Sequence, residues 1–424
     1  MASGGRTMIP NLNRYKEKWN VKSDDIIKPG LAAIGEALVR VGHPENGLQV
    51  VHLAGTNGKG STLTFLESLA KEHGLRVGKF MSPCIVDVHD QIQVEGQAIT
   101  EAEMDQLFQQ MQAAGLSEKL TDFELLTVAA FLHFAASDVD IALIEAGMGG
   151  LLDSTNVVTP IVSIIPSIAL EHTKFLGNTI ESITHHKAGI IKPYKPVIIG
   201  DLPQEAKDII YKEAREKQSA VFELNQQFSV GQEKDGETYE YDKQSFHLSK
   251  LTRLMKGAHQ ANNMALAITA FLEVATALNI KVIKSALQKG VKEATILGRF
   301  EEILPHVILD GAHNPASVEK LIETINSEFP DEQIALVIGI LADKDVPQIL
   351  QLFEQISDHF YFVDFNNSRA MGAQKMLELS GAPYKEVLVD YASFLQHQSE
   401  RKLRTIVTGS LYLLTEVRNR LKSI

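Results

Sequence analysis

The residues best placed to do chemistry gather in the run VVHLAGTNGKGSTLTFLESLAKEHG, where an apolar stretch leads through Gly55, Asn57, Gly58, Lys59, Gly60 and Ser61 into a helix-like segment. A loop of this composition wraps a polyphosphate: its glycines admit close backbone approach, and the helix that follows presents free N–H groups and the positive end of its dipole. Lys59 adds a cation for the outer phosphates. The spacing departs from the strict G-x-x-x-x-G-K-[ST] pattern, since Leu53 stands at the first glycine position and Gly60 separates Lys59 from Ser61. A plain strand-to-helix turn is the competing reading, and Lys-Gly-Ser-Thr at the helix start weighs against it. Glu145 ends the apolar run of DIALIEAG. Its carboxylate is therefore expected at the carboxyl edge of a parallel sheet beside this loop, where Mg²⁺ carried by ATP could be held; taken alone, a solvated strand-end Glu serves equally well. His185 and His186 look like a metal pair, but helix neighbours point to different faces, so a structural or exposed role is the simpler reading. Asp310-Gly311-Ala312-His313-Asn314-Pro315 follows another strand-like run. Gly and Asn permit a tight turn there, and Pro315 suits the first position of a helix.

Such residues need a frame. Short Val/Ile-rich runs without a polar alternate face recur between helix-like segments, the pattern of parallel strands covered on both sides. In the first part the strand candidates are Leu48–Ala54, Val77–Met81, Ile141–Ala146, Ile161–Ile165 and Val197–Gly200, separated by amphipathic stretches such as Ser61–His73, Glu103–Ala114 and Phe123–Ser137. A polar stretch from Val221 to Ser249 reads as a small antiparallel excursion, followed by a helix from about Ala258 to Leu278. The rhythm restarts at Val307 with VILDGA, IALVIG, FYFVD, EVLVD and TIVTG. Two α/β domains are expected, residues 1–295 with a phosphate-loop parallel sheet and a smaller Rossmann-like domain at 296–424.

The 424-residue length allows two or three domains, and 44% hydrophobic with 22% charged residues is a globular composition. With 41 Lys+Arg against 53 Asp+Glu, the net charge of −12 argues against broad nucleic-acid binding, which needs a basic surface. One cysteine, Cys84, excludes an intramolecular disulfide framework and fits a reducing, cytoplasmic location. No apolar stretch approaches the roughly 20 residues of a membrane span, so no membrane partner is expected.

The form GTNGKGS resembles the loop of folylpolyglutamate synthases and of dual-function dihydrofolate synthases, relatives of the muramyl peptide ligases. SPCIVDVHDQI, DFELLTVAAFLHF, IEAGMGGLLDSTN, LEHTKFLGNTIESITHHKAGIIKP, HQANNMALA, LGRFE, LDGAHNP, GILADKD and VTGSLYL are similar to that family's motifs in the same order, over nearly the whole chain. The resemblance implies a Mur-ligase-like architecture and ATP-dependent addition of L-glutamate to a folate, or to dihydropteroate, through an acyl phosphate. It implies Mg²⁺ held by Ser82, Glu145 and His172, with K⁺ as a further candidate. By the same likeness Lys187 carries a CO₂-derived carbamate, Asn263 reads adenine, and Arg299 and Asp310 contact the nucleotide. His313 and Ser410 would face the glutamate, and Ser82, Pro83, Phe123 and Asp153 would lie by the pterin substrate. The catalytic set would be Lys59, Lys187 and His313, the last a candidate base only by its location. Phe131 and Phe134 read as core, and Cys84 as a packed thiol. A monomer is expected.

Several positions depart from the family's pattern. Glu171 replaces an Asp before His172, His89-Asp90-Gln91-Ile92 stands where Asn-Glu-Arg-Ile is common, and Leu151 takes a frequent Arg position. These departures bear on substrate preference more than on nucleotide use. A muramyl-type ligase of a nucleotide sugar is the rival enzyme reading, although such enzymes carry an additional N-terminal domain and only about 47 residues precede the first strand here. A nucleotide-binding regulator that has lost catalysis is the rival of another class.

Overall fold

The computed structural model describes residues 9–84, 86–400 and 403–422. They form two compact units, one of residues 9–254 with 260–295, the other of residues 255–259 with those from 296 onward.

In the first unit eight strands make one sheet. They are β1 (Val50–Leu53), β2 (Val77–Phe80), β3 (Ile92–Val94), β4 (Gln97–Ala98), β5 (Ile141–Glu145), β6 (Val162–Ile165), β7 (Val197–Ile199) and β8 (Val221–Glu223), in the order β4-β3-β2-β5-β1-β6-β7-β8. From β2 to β8 every neighbour is parallel, while β3 and β4 add an antiparallel edge. β1 is central and buried at all four residues, as its VVHL sequence requires of a strand covered on both faces. One face packs the helix Asp122–Ala136, buried from Leu125 to Phe134, so its sequence is apolar all round and Phe131 and Phe134 are core. The other face packs Ile183, Ala188 and Ile210 of the helices Ile180–Ala188 and Gln204–Glu216. Each such large side chain contributes roughly 1.5–3 kcal/mol when removed from water.

The antiparallel excursion is a three-stranded sheet of β9 (Phe228–Glu233), β10 (Gly236–Tyr241) and β11 (Phe246–Leu251). Tyr239 and Tyr241, two apart and hence on one face, point to the helix Ala258–Ala277. Tyr239 hydroxyl pairs with Thr269 Oγ1 at 2.8 Å, and Tyr241 donates to Glu273 at 2.7 Å. The excursion begins one strand later than the sequence suggested, because Val221 belongs to the parallel sheet as β8.

The second unit carries β12 (Glu301–Leu304), β13 (Val307–Asp310), β14 (Ile334–Ile338), β15 (His359–Phe362), β16 (Tyr384–Val387) and β17 (Arg404–Thr408), in the order β12-β13-β17-β14-β15-β16. All pairs but β12–β13 are parallel. The α/β class expected from the alternation is the one found. Among the described residues no helix is long and apolar enough to cross a membrane.

Candidate active site

Phosphate-loop geometry starts from how β1 ends. Ala54 N–H donates to Ile164 carbonyl, and past that pair the loop is strapped to the segment after β6. Thr56 N–H donates to Ser167 carbonyl at 2.9 Å, Ser167 Oγ bridges the N–H and C=O of Asn57, and Thr56 Oγ1 bridges the C=O and N–H of Ala169. Gly58 has φ +85°, and a Cβ there would lie 2.6 Å from Asn263 Oδ1; both conformation and space demand glycine. Asn263 thus lies against the loop, held by its own donation to Gln260 Oε1 at 2.9 Å. The helix Lys59–Glu72 begins directly after Gly58, so Gly60 and Ser61 sit in its first turn with their N–H groups at the dipole's positive end. Lys59 Nζ donates to Gly55 carbonyl at 2.8 Å and stands 3.6 Å from the buried carboxylate of Glu145, which ends β5 beside β1.

Behind this edge lies Lys187, in the last turn of the helix Ile180–Ala188 and 1% exposed. No carboxylate among the described residues lies within ion-pair distance of it. Burial, seconded by Lys59, pushes its ammonium down to about 7, against the pull of Glu171 and Asp153. Asp153 is spent on its own loop: it accepts from Thr155 N–H (3.0 Å), Thr155 Oγ1 (2.6 Å) and Met148 N–H (2.8 Å). Burial nevertheless raises its carboxyl. His52 of β1 meets the same Thr155 hydroxyl at 2.8 Å and is pushed down to about 3 by burial and then by Lys192. Strand, threonine and aspartate therefore form one buried chain under the second glycine-rich stretch. Phe123 covers that stretch, since a Cβ on Gly147 would meet its ring at 2.6 Å. It also stacks on Phe80 with ring centroids 5.6 Å apart.

Ser82 and Pro83 follow β2 in the loop that returns to β3. Cys84 beside them is buried, and burial pushes its thiol well above the usual range, which fits a packed thiol. His172 has φ +51° and caps the helix Thr173–Leu176, its Nε2 3.9 Å from Glu171. Among the described residues no three His, Cys, Asp or Glu side chains converge to hold a metal.

In the second unit, Asp310 ends β13 half-buried; desolvation raises its carboxyl against the nearby Arg299. It accepts from Phe300 and Ala312 N–H groups, both at 2.9 Å, which fixes the LGRFE turn on the DGAH turn. Asn314 caps the helix Pro315–Glu328 in a capping box with Ser317, leaving His313 Nδ1 2.8 Å from Gly311 carbonyl. Ser410 follows β17, the parallel neighbour of β13, and Gly409 N–H donates to Ala312 carbonyl. Asp310, His313 and Ser410 therefore share one carboxyl edge. Thr56, Ser167, His52 and Thr155, which brace the first edge, were not singled out from sequence; only the strand pairing reveals them.

Phosphate loop, parallel sheet and second α/β unit define the class, that of the Mur ligases: residues 53–271 match the Mur ligase middle domain and residues 298–409 the Mur ligase glutamate ligase domain. More narrowly, the chain belongs to the dihydrofolate synthase/folylpolyglutamate synthase family. It is 37% identical over 413 residues to the dihydrofolate synthase/folylpolyglutamate synthase of Bacillus subtilis (strain 168), covering 93% of this chain and 96% of the relative. Among solved structures it is similar to Escherichia coli FolC in complex with DHPP and ADP, at 28% identity and TM-score 0.87 over 98% of each chain. An FPGS-AMPPCP-folate complex is likewise similar at 28% identity, TM-score 0.84, covering 96% of this chain and 99% of that one.

Proposed function

We propose that the protein is an ATP-dependent ligase that adds L-glutamate to tetrahydrofolate-type folates and also to dihydropteroate. The observation that carries the reading is the phosphate loop with Lys59 beside Glu145, in a chain that matches folate ligases along nearly its whole length. That extent favours it over a muramyl-type UDP-sugar ligase and over a degenerate nucleotide-binding regulator. The retained Asp153, which shapes the second glycine-rich stretch, is the reason for assigning both activities.

A folate carboxylate oxygen attacks the γ-phosphorus of ATP, the bond to the β–γ bridging oxygen breaks, and ADP leaves an acyl phosphate. The glutamate α-amine then attacks the acyl carbon, phosphate departs with the C–O electron pair, and the nitrogen gives up a proton. Catalysis of the first step is positioning and electrostatics. Backbone N–H groups of Gly58 to Ser61 cradle the phosphates, Lys59 and Arg299 balance their charge, Asp310 holds Arg299 in place, and Asn263 reads the base. Glu145, a buried carboxylate whose contact to Lys59 is long, is suited to a hard cation, and we assign it to Mg²⁺ with Ser82 and His172. Held there, Mg²⁺ would supply further neutralisation of phosphate charge; K⁺ is a second candidate cation. Lys187, neutral in good part near pH 7, is fit to attack CO₂: an N–C bond forms, a proton leaves, and a carbamate anion results. Pro83 and Phe123 border the pterin, and His313 and Ser410 face the glutamate. His313 is the only base we assign, by its place at that edge.

The reading is tested by ADP release with dihydropteroate, tetrahydrofolate and a muramyl precursor, each with and without glutamate. Glutamate-dependent turnover is expected with both pterins and not with the muramyl precursor. Absence of such turnover on either pterin overturns it.

A further inference from the structure

The segment after β2 leaves the sheet at Met81 and returns at Gln91, where Met81 N–H donates to Gln91 carbonyl at 3.0 Å. Within this loop, which carries Ser82 and Pro83, Asp87 caps the turn that follows it by accepting from His89 N–H at 3.0 Å, and both residues also reach the N-terminal segment and its helix Leu12–Lys18. Val88 N–H donates to Pro10 carbonyl at 3.1 Å, and Asn11 Nδ2 donates to Asp87 Oδ2 at 2.7 Å. Tyr15 hydroxyl meets His89 Nε2 at 2.6 Å, and the other ring nitrogen, Nδ1, meets Asp87 Oδ1 at 2.8 Å. Both ring nitrogens of His89 are thus engaged, one to each side of the tie.

The roles follow from the partners. Burial pushes the Tyr15 phenol up to about 12, so it remains O–H and donates to Nε2. Asp87, although burial opposes it, is held below the usual carboxylate range by donors from His89 and Asn11, so it accepts from Nδ1–H. A ring protonated on Nδ1 satisfies both at once, Nδ1–H donating and Nε2 accepting. Tyr15 is itself anchored: it is 1% exposed and lies 5.5 Å from the Phe108 ring. The helix bearing it is clamped to the helix Glu101–Ala113 by Arg14–Glu101 and by Lys18 and Trp19 on Asp105. A loop that would otherwise answer only to its own turn is therefore fixed to the body of the unit.

We infer that His89 is a positioning residue for the pterin substrate: by bridging Tyr15 and Asp87 it holds the Ser82–Gln91 loop in its binding arrangement, and losing the bridge weakens pterin binding selectively. The inference rests on the folate-ligase reading for its substrate, whereas the tie itself is testable without one. Five full-length proteins are compared, the wild type, His89→Ala, Tyr15→Phe, His89→Gln and the double variant Tyr15→Phe/His89→Ala. Losing both hydrogen bonds of the His89 ring lowers the population of the held loop, and with it pterin affinity, about tenfold. His89→Ala is accordingly expected to raise KM for dihydropteroate about tenfold, a larger change than any in kcat or in KM for ATP, which respond only through Ser82 at the loop's first position. Tyr15→Phe shifts the same constant less, the double variant is no worse than His89→Ala, and His89→Gln recovers part of the loss. Amide hydrogen exchange of the 82–91 segment, measured on substrate-free protein, should accelerate in His89→Ala. Unchanged exchange overturns the tie. Faster exchange with an unmoved pterin KM, or equal loss in kcat and both KM values, overturns the positioning role. If wild-type protein turns over neither pterin, the folate reading and the pterin role fall together, and the exchange result alone judges the tie.

Discussion

At the residue scale the decisive groups are those whose environment changes their chemistry. Lys187 is buried without an ion-pair partner among the described residues, and its amine is pushed from 10.5 to about 7. Between these values the unfolded chain binds more protons than the folded one, so this group makes stability rise with pH across that window. Below about 7 the burial penalty is paid in full. Lys187→Met removes the penalty: in CO₂-free buffer its urea midpoint should exceed wild type by more at pH 7 than at pH 9.5. The same variant should lose at least about a hundredfold in kcat if a carbamate there would hold a cation that neutralises phosphate charge, and full activity would sink the carbamate. Gly58 makes the opposite kind of demand, on space. Gly58→Ala puts a methyl 2.6 Å from Asn263 Oδ1 in a backbone conformation that disfavours side chains. We expect ADP affinity by calorimetry to drop about tenfold or more, since left-handed strain alone costs roughly 1–2 kcal/mol; unaltered affinity would remove Gly58 from the phosphate site.

At the element scale, helices and central strands were legible because their burial is written as period: VVHL, IALIE and VSII are Val/Ile/Leu-rich runs without a polar alternate face, and the DFELLTVAAFLHF helix opens with Thr121 and Glu124 in a capping box. Elements that escaped were short and paired at the edge. β3, β4 and β12 are held by antiparallel neighbours and carry little apolar pattern of their own, as IQV, QA and EEIL show. β16 begins two residues before the EVLVD run, because pairing with β15, not hydrophobicity, sets its register. The turn bearing His313 depends on the cap that follows it. Asn314→Ala removes the acceptor for Ser317 N–H and should cost about 1 kcal/mol, seen as a Tm lower by a few degrees. An unchanged Tm would mean that the turn is held by Asp310 alone.

At the scale of the whole molecule, the −12 charge sets an acidic exterior against substrates that are all anions. Attraction must then come from the local groups at each carboxyl edge, and the distant field works against association. Raising ionic strength from about 0.01 to 0.1 M shortens the Debye length from about 30 to about 10 Å, so kcat/KM for ATP at constant free Mg²⁺ should hold or rise. A several-fold fall would show a net attractive field instead. Composition, the order of motifs and the strand-helix rhythm by themselves determined the class of fold, the phosphate loop and most of the candidate residues, because periodic burial and glycine-rich turns are local properties of a chain. Only the tertiary structure decided what those residues experience. That Lys187 is desolvated, that Asp153 is spent on its own loop, that Asn263 abuts Gly58 across 205 positions of sequence and that Tyr15 reaches His89 are consequences of strand order and helix packing. Distance, burial and the field of neighbouring charges arise from groups far apart in the chain, and no local pattern carries them.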